Sequence, residues 1–164
     1  MKAFVAALML LFAASAAAQD RAPSEAERAA RAYMAEYSAA NWSGMAPYMA
    51  EDFVLVDRTN PDPGFAPEHR SPAATLEMLR RFGEENGVIE LGFDFPTVFE
   101  SNGIVVFQGH VNMYAAPPGR NYAIRWRTEQ VTVLTMRDGR VMRHEDYANY
   151  TAPTMTRVDR PAGR

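Results

Sequence analysis

Thr132-Val-Leu-Thr-Met-Arg-Asp-Gly-Arg-Val-Met-Arg-His-Glu-Asp-Tyr147 is a β-hairpin written in sequence. Two strand-like runs flank Asp138-Gly139, a dipeptide that favours tight turns. The second run ends in His144, Glu145, Asp146 and Tyr147. Successive strand side chains point to opposite faces, so the turn decides whether His144 and Asp146 face the interior or water. A two-residue loop pairs Arg137 with Arg140 and Val131 with Asp146. A three-residue loop pairs Met136 with Arg140 and Gln130 with Asp146. The three-residue register separates the chemistry. One face then carries Trp126, Thr128, Gln130, Thr132, Leu134, Met142, His144, Asp146 and Tyr150. The other carries Arg125, Arg127, Glu129, Arg143 and Glu145. A typical antiparallel sheet buries one face and wets the other. The expectation is a three-residue turn that encloses His144 and Asp146.

Reading outward, the chain after residue 87 is all strand, over about 88–100, 103–116, 121–136 and 140–151. Ser101-Asn102-Gly103 read as a three-residue loop pairs Glu100 with Ile104 and sets Asp94 across from His110. That pair is either an orienting dyad beside a pocket or a surface or dimer-interface contact. Upstream, Ser24 and Glu27 form a capping box. Ala26, Ala30, Tyr33, Tyr37 and Ala40 follow at helical spacing. A short second helix runs from Ser43 to Ala50, and Asp52–Asp57 reads as a first strand. Residues 58–70, with Pro61, Pro63 and Pro67, read as a loop, and His69 within it as solvated. Ser71-Pro72 opens a third helix that Asn86-Gly87 stops. Helices packed on an antiparallel or mixed curved sheet make an α+β cone with a pocket inside.

The N-terminus reads as an export signal. Met1-Lys2 precedes an apolar run from Ala3 to Ala14, and Ala16-Ala17-Ala18 matches a cleavage site. The expected boundaries are 1–18 signal peptide, 19–152 domain and 153–164 flexible tail, with a periplasmic or secreted product. No membrane anchor is expected after cleavage. The chain has no cysteine, which removes disulfides, a lipid anchor on cysteine and thiol chemistry. Net charge is −3 and Lys2 is the only lysine, so no basic stripe suggests nucleic acid. His69, His110 and His144 lie on separate elements without a short-spaced ligand motif, so no metal or other cofactor is expected.

Met45-Ala-Pro-Tyr-Met-Ala-Glu-Asp-Phe-Val-Leu-Val-Asp57 and Arg137-Asp-Gly-Arg-Val-Met-Arg-His-Glu-Asp-Tyr147 carry a resemblance to the nuclear transport factor 2-like superfamily, in its SnoaL-like branch. The resemblance spans roughly residues 25–151. It implies the cone fold, a sheet-face homodimer and a small-molecule pocket. The superfamily includes polyketide cyclases, ketosteroid isomerase, scytalone dehydratase, limonene epoxide hydrolase and many non-enzymes, so fold does not settle activity. Against limonene epoxide hydrolase, Asp146 falls on the last-strand Asp. Gln130 and Thr132 stand where that enzyme has Arg-x-Asp, and Leu55 and Asp57 where it has Tyr-x-Asn. The relay is broken, and epoxide hydrolysis does not carry over.

What remains is Asp146 as general base, with His144 and Asp57 orienting or donating. The expected ligand contacts are Tyr33, Tyr37, Trp42, His110, Trp126, Gln130, Thr132 and Tyr150, around a small apolar or aromatic molecule. Cofactor-free isomerisation, cyclisation or dehydration would use such a site. A non-catalytic binder would use the same cavity, and an oligomeric interaction module the Arg/Glu face of the sheet.

Overall fold

A computed structural model describes residues 22–160 apart from Pro63. The expected signal peptide lies outside the described residues. Helix α1 (Glu25–Ser38), helix α2 (Trp42–Met45) and a 3-10 turn (Ala46–Tyr48) lead into strand β1 (Met49–Asp57). Strand β2 (Glu68–Arg70) and helix α3 (Pro72–Asn86) follow. Then come β3 (Val88–Ser101), β4 (Ile104–Ala115), β5 (Tyr122–Arg137), β6 (Arg140–Ala148) and β7 (Thr154–Asp159). The sheet order is β2-β1-β6-β5-β4-β3, with β7 on β5. Every pairing is antiparallel except β1 with β6. The fold is α+β with a mixed sheet, as expected.

Helix ends follow their sequence signals. The Ser24 hydroxyl accepts from the Glu27 amide at 3.1 Å and caps α1. Ser71 caps α3, Pro72 fills its first position, and Gly87 closes it in the left-handed conformation at φ 61°. The second helix is shorter than expected. Asn41 rather than Ser43 opens it, its side chain accepting from the Gly44 amide at 3.3 Å. Pro47 donates no amide, and the chain tightens into the 3-10 turn.

Both hairpins correct the expected turns in the same way. Asp138 and Gly139 have φ 52° and 73°, the two positive values of a type I′ two-residue turn, and Arg137 faces Arg140. A bulge follows: Thr135 faces Arg143 while Met136 faces Val141, so Met142 is the extra residue. The turn is one residue shorter than expected, and the bulge shifts the register by one more step, which returns the expected face but not the expected partners. Asp146 therefore faces Thr132 rather than Gln130, and His144 faces Leu134. Both remain on the expected face. Asn102 and Gly103 repeat the pattern at φ 52° and 76°, with a bulge between Asp94 and Thr97. Asp94 then faces His110, as the sequence suggested.

The second bulge contains Pro96, which has no amide to give to a ladder. Gly109 on β4 lies opposite it. A Cβ there would come within 2.0 Å of the Asp94 carbonyl oxygen and 2.8 Å of Pro96 Cδ. Neither atom is the end of a flexible chain. Gly109→Ala should therefore lower stability by about 1–3 kcal/mol through overpacking. Urea unfolding checks this, and an unchanged midpoint would mean that the bulge yields freely.

Two further segments differ from expectation. Residues 154–159, expected as part of a loose tail, form β7. It continues along the edge of β5 beyond the end of β6, pairing Tyr122–Arg127. Glu68–Arg70, expected in a loop, pairs with β1. His69 thus sits on a strand, its ring edge-on to Phe65 at 5.2 Å, rather than free in solvent.

Helix α1 lays Ala30, Tyr33, Met34 and Tyr37 against the sheet. With Met45, Phe53, Leu79, Val105, Phe107, Leu134 and Val141 they form the core. Each large apolar side chain buried here contributes about 1.5–3 kcal/mol. No described helix is long and apolar enough to cross a membrane.

Candidate functional site

Strands β1, β5 and β6 bring five of the expected residues onto one buried face. Asp57 and Asp146 are register partners on the parallel pair β1–β6. Thr132 faces Asp146, and Gln130 is two residues away on the same face of β5. All of these, with His144, are buried.

The contacts converge on one oxygen. Gln130 Nε2 donates to Asp146 Oδ1 at 2.7 Å, and the Thr132 hydroxyl donates to the same atom. His144 Nε2 lies 3.0 Å from that oxygen, close enough for an ion pair. The ring is turned, however, so Nε2 makes no aligned hydrogen bond. On its other side, His144 Nδ1 is 2.8 Å from the Tyr33 hydroxyl. Burial first, and the charge of Asp146 second, push the Tyr33 phenol well above its ordinary range. Tyr33 therefore keeps its proton. Donated to Nδ1, that proton leaves the ring N–H on Nε2, beside the carboxylate. A chain runs from helix α1 through the imidazole to Asp146.

Asp57 is held differently. Its Oδ1 accepts from the Thr59 amide at 3.2 Å, the Thr59 hydroxyl at 3.0 Å and the Asn60 amide at 3.1 Å. Its Oδ2 accepts from the Tyr150 hydroxyl at 2.6 Å. Burial, then the hydrogen bond and charge of Asp57, raise the Tyr150 phenol, so it too stays a donor. With donors on both oxygens, Asp57 anchors the turn after β1 and the chain after β6.

The two buried carboxylates thus stand side by side, and no arginine contacts either one among the described residues. Buried charges are ordinarily paired with opposite charge. Here the donors are neutral hydroxyls and amides, and the His144 ring lies beside Asp146.

The expected aromatic contacts fall into two groups. Tyr37 joins the core group, 5.3 Å from His144, 4.9 Å from Phe93 and 6.0 Å from Trp42 by ring centroids. Trp126 and Tyr150 pair at 6.1 Å at the other end of the face. His110 does not join either group. It faces Glu129 and Asp94 on the outer side of the sheet, where it lines one of two recesses on that face. The interior is filled by Tyr33, Phe53, Met45 and Leu134, each fully buried. Two recesses, of about 490 and 550 Å³, lie over the outer face, and neither is lined by His144 or Asp146. Asp146 itself retains 7% exposure. Among the described residues no group of three or more His, Cys, Asp or Glu could hold a metal ion.

Sequence reading missed the Tyr33–His144 contact and the Tyr150–Asp57 contact. Both join residues more than ninety positions apart. Only the shared helical face of Tyr33 and Tyr37 pointed to the first.

The sequence pattern of the SnoaL-like domain family matches residues 30–144. No curated protein matches the chain. Among solved structures, a protein of Shewanella putrefaciens described as a SnoaL-like polyketide cyclase superposes with a TM-score of 0.67 at 19% identity, covering 79% of this chain and 93% of that one. TerC, crystallised with polyporic acid, gives 0.65 at 21% identity, covering 78% and 94%. A nuclear transport factor 2-like protein of Burkholderia pseudomallei gives 0.65 at 17% identity, covering 77% and 92%. At these identities the likeness is one of fold. The match over residues 30–144 goes further: this chain belongs to the SnoaL-like domain family.

Proposed function

We infer that the protein binds a small, largely apolar aromatic molecule beside Asp146 and performs cofactor-free proton transfer on it, as an isomerase, cyclase or dehydratase. One observation carries this reading. Gln130, Thr132 and His144 all converge on Asp146 Oδ1, which leaves Oδ2 to meet a ligand. A carboxylate fixed in this way is an oriented base. His144, held by Tyr33, lies beside it. The filled interior implies that a ligand enters by moving side chains of the Trp126–Tyr150 pair or the Tyr37–Trp42 pair.

TerC supplies a chemical starting point, since polyporic acid is a flat hydroxyquinone with an acidic enol. Titrating polyporic acid and simpler hydroxyquinones against the protein should quench tryptophan fluorescence, because Trp42 and Trp126 flank the site. Saturable quenching with turnover supports an enzyme. Saturable quenching without turnover supports the second reading, a non-catalytic binder, which the dense packing around His144 favours. No saturable change with any aromatic probe would remove both.

Export and sheet-face dimerisation belong to the same proposal. A processed protein should begin at Gln19, and intact mass of material recovered from the periplasm or medium measures this. Protein that retains Met1–Ala18 would remove the export reading. The dimer should appear as doubled mass in light scattering at micromolar concentration.

A further inference from the structure

We propose that strand β2, with residues 65–67 before it, is an acid-operated door over the buried row that contains His144, and that His69 is its latch. The door does not depend on the reading of the interior as a catalytic or binding site.

Cross-strand partners share a face. Leu55 of β1 faces His69 of β2 on one side and His144 of β6 on the other, and His144 faces Leu134. These side chains form one row across the inner face, and Leu55 alone separates the two imidazoles. Their Nε2 atoms are the buried side-chain nitrogens left without a hydrogen-bond partner among the described residues. β2 is the outermost strand on its side of the sheet and only three residues long. When it leaves, Leu55 loses its outer neighbour and the row opens toward His144.

The door is lightly fastened. Beyond the pairing of β2 with β1, the Asp57 amide donates to the Pro67 carbonyl at 3.1 Å and the Ser71 amide to the Phe53 carbonyl at 2.8 Å. The Thr75 hydroxyl of α3 donates to the His69 carbonyl at 3.4 Å. The His69 ring stands edge-on to Phe65 and bonds the Ala66 main chain. A neutral ring with its proton on Nδ1 is satisfied there.

A second proton changes this. It would sit on Nε2, where no acceptor meets it. Arg81 of α3 adds repulsion, while Leu55, Phe65 and Thr75 bring no charge. Glu68 and Arg70 stand on the opposite face of the strand, where Glu68 pairs with Arg58 at 2.8 Å and with Arg70 at 2.6 Å. Burial, with Arg81 adding to it and the bond to Ala66 opposing, holds the imidazole below its ordinary 6.5. The open form therefore binds the proton more tightly than the closed one. Closure is fully favoured above about pH 6.5 and weakens as pH falls toward the folded pKa.

Hydrogen exchange of the full chain, followed by NMR at the Asp57 and Ser71 amides, tests this. Each rate is divided by that of an open peptide at the same pH. Between pH 7.5 and 5.5 opening should rise severalfold, with about tenfold as the ceiling for an imidazole that titrates normally when free. Amides in the middle of α1 should not follow. His69→Phe keeps an aromatic ring and removes the proton site, so opening should then be flat with pH. In the same spectra the wild-type His69 ring should titrate below 6.5. A rise that persists in His69→Phe would move the trigger elsewhere and overturn the proposal. So would exchange that ignores pH, equal acceleration in α1, or a His69 ring that titrates at 6.5 or above. No ligand enters these readouts, so the interior reading can fail, by absence of any hydroxyquinone response, with the door intact.

Discussion

Asp146→Asn should reduce turnover by about two to four orders of magnitude, the usual contribution of a positioned general base. The substitution keeps size and shape. The Asn oxygen can still accept from Gln130 and Thr132, the two donors that fix Asp146 Oδ1. What disappears is the ability to take a proton at the second oxygen. The amide nitrogen cannot serve as a base, and the buried His144 loses the negative charge 3.0 Å away. A fall confined to kcat, with ligand binding retained, marks Asp146 as the base. A fall in both, with stability reduced by about 1–3 kcal/mol, marks a structural hydrogen-bond anchor instead. Wild-type turnover and stability in Asp146→Asn would remove the residue from function. Substrate conversion at several pH values, beside urea unfolding of the same samples, separates these outcomes.

Tyr33→Phe refines the assignment. It deletes only the hydroxyl 2.8 Å from His144 Nδ1. The imidazole then loses the partner that sets its tautomer. If His144 matters through its orientation toward Asp146, the pH profile of turnover should change shape while fold and ligand affinity persist. A profile that superposes on the wild type would leave the imidazole as packing.

The face of each strand was legible in the sequence, and the register was not. Buried and exposed residues sort cleanly between Trp126 and Asp146 because burial acts on every second position. That regularity reports parity alone. A three-residue turn and a two-residue turn followed by a bulge give the same parity, and the chain uses the second arrangement at both Asp138-Gly139 and Asn102-Gly103. Pro96 was the available sign of a bulge in β3. Met142 gives no comparable sign in β6. The fold class was legible because the helix caps at Ser24 and Ser71 and the stop at Gly87 act locally. The anchoring contacts of Asp57 were not legible because its partners, Thr59, Asn60 and Tyr150, are contacts of a turn and of a distant chain segment. β7 was missed because Thr154–Asp159 lacks an apolar face and is held by pairing along the free edge of β5.

Alkaline unfolding should be unusually steep, and Tyr37→Phe should flatten it. Tyr33 and Tyr37 are both buried, and burial holds each phenol well above its ordinary value of 10.0, with the charge of Asp146 adding to it. In the folded protein they stay neutral, while in the unfolded chain they ionise near their ordinary value. The unfolded state therefore binds fewer protons above about pH 10. Stability is full below that pH and falls as pH rises, until the folded pKa values are reached. Each tyrosine contributes about 1.4 kcal/mol per pH unit, so the two together give about 2.7. Tyr150, raised by burial and its bond to Asp57, acts in the same direction. Two pH units at that slope remove about 5 kcal/mol, which matches the lower end of a typical stability of about 5–15 kcal/mol. Urea midpoints at pH 8, 10, 11 and 12 measure the slope. Tyr37→Phe removes one ionising phenol, and its ring contacts with Phe93 and Trp42 survive. It should leave stability at pH 8 close to wild type and reduce the alkaline slope by about 1.4 kcal/mol per pH unit. A flat wild-type profile from pH 10 to 12 would show that both phenols ionise as readily in the folded protein as in the unfolded chain, and that the helix layer over His144 is open to water.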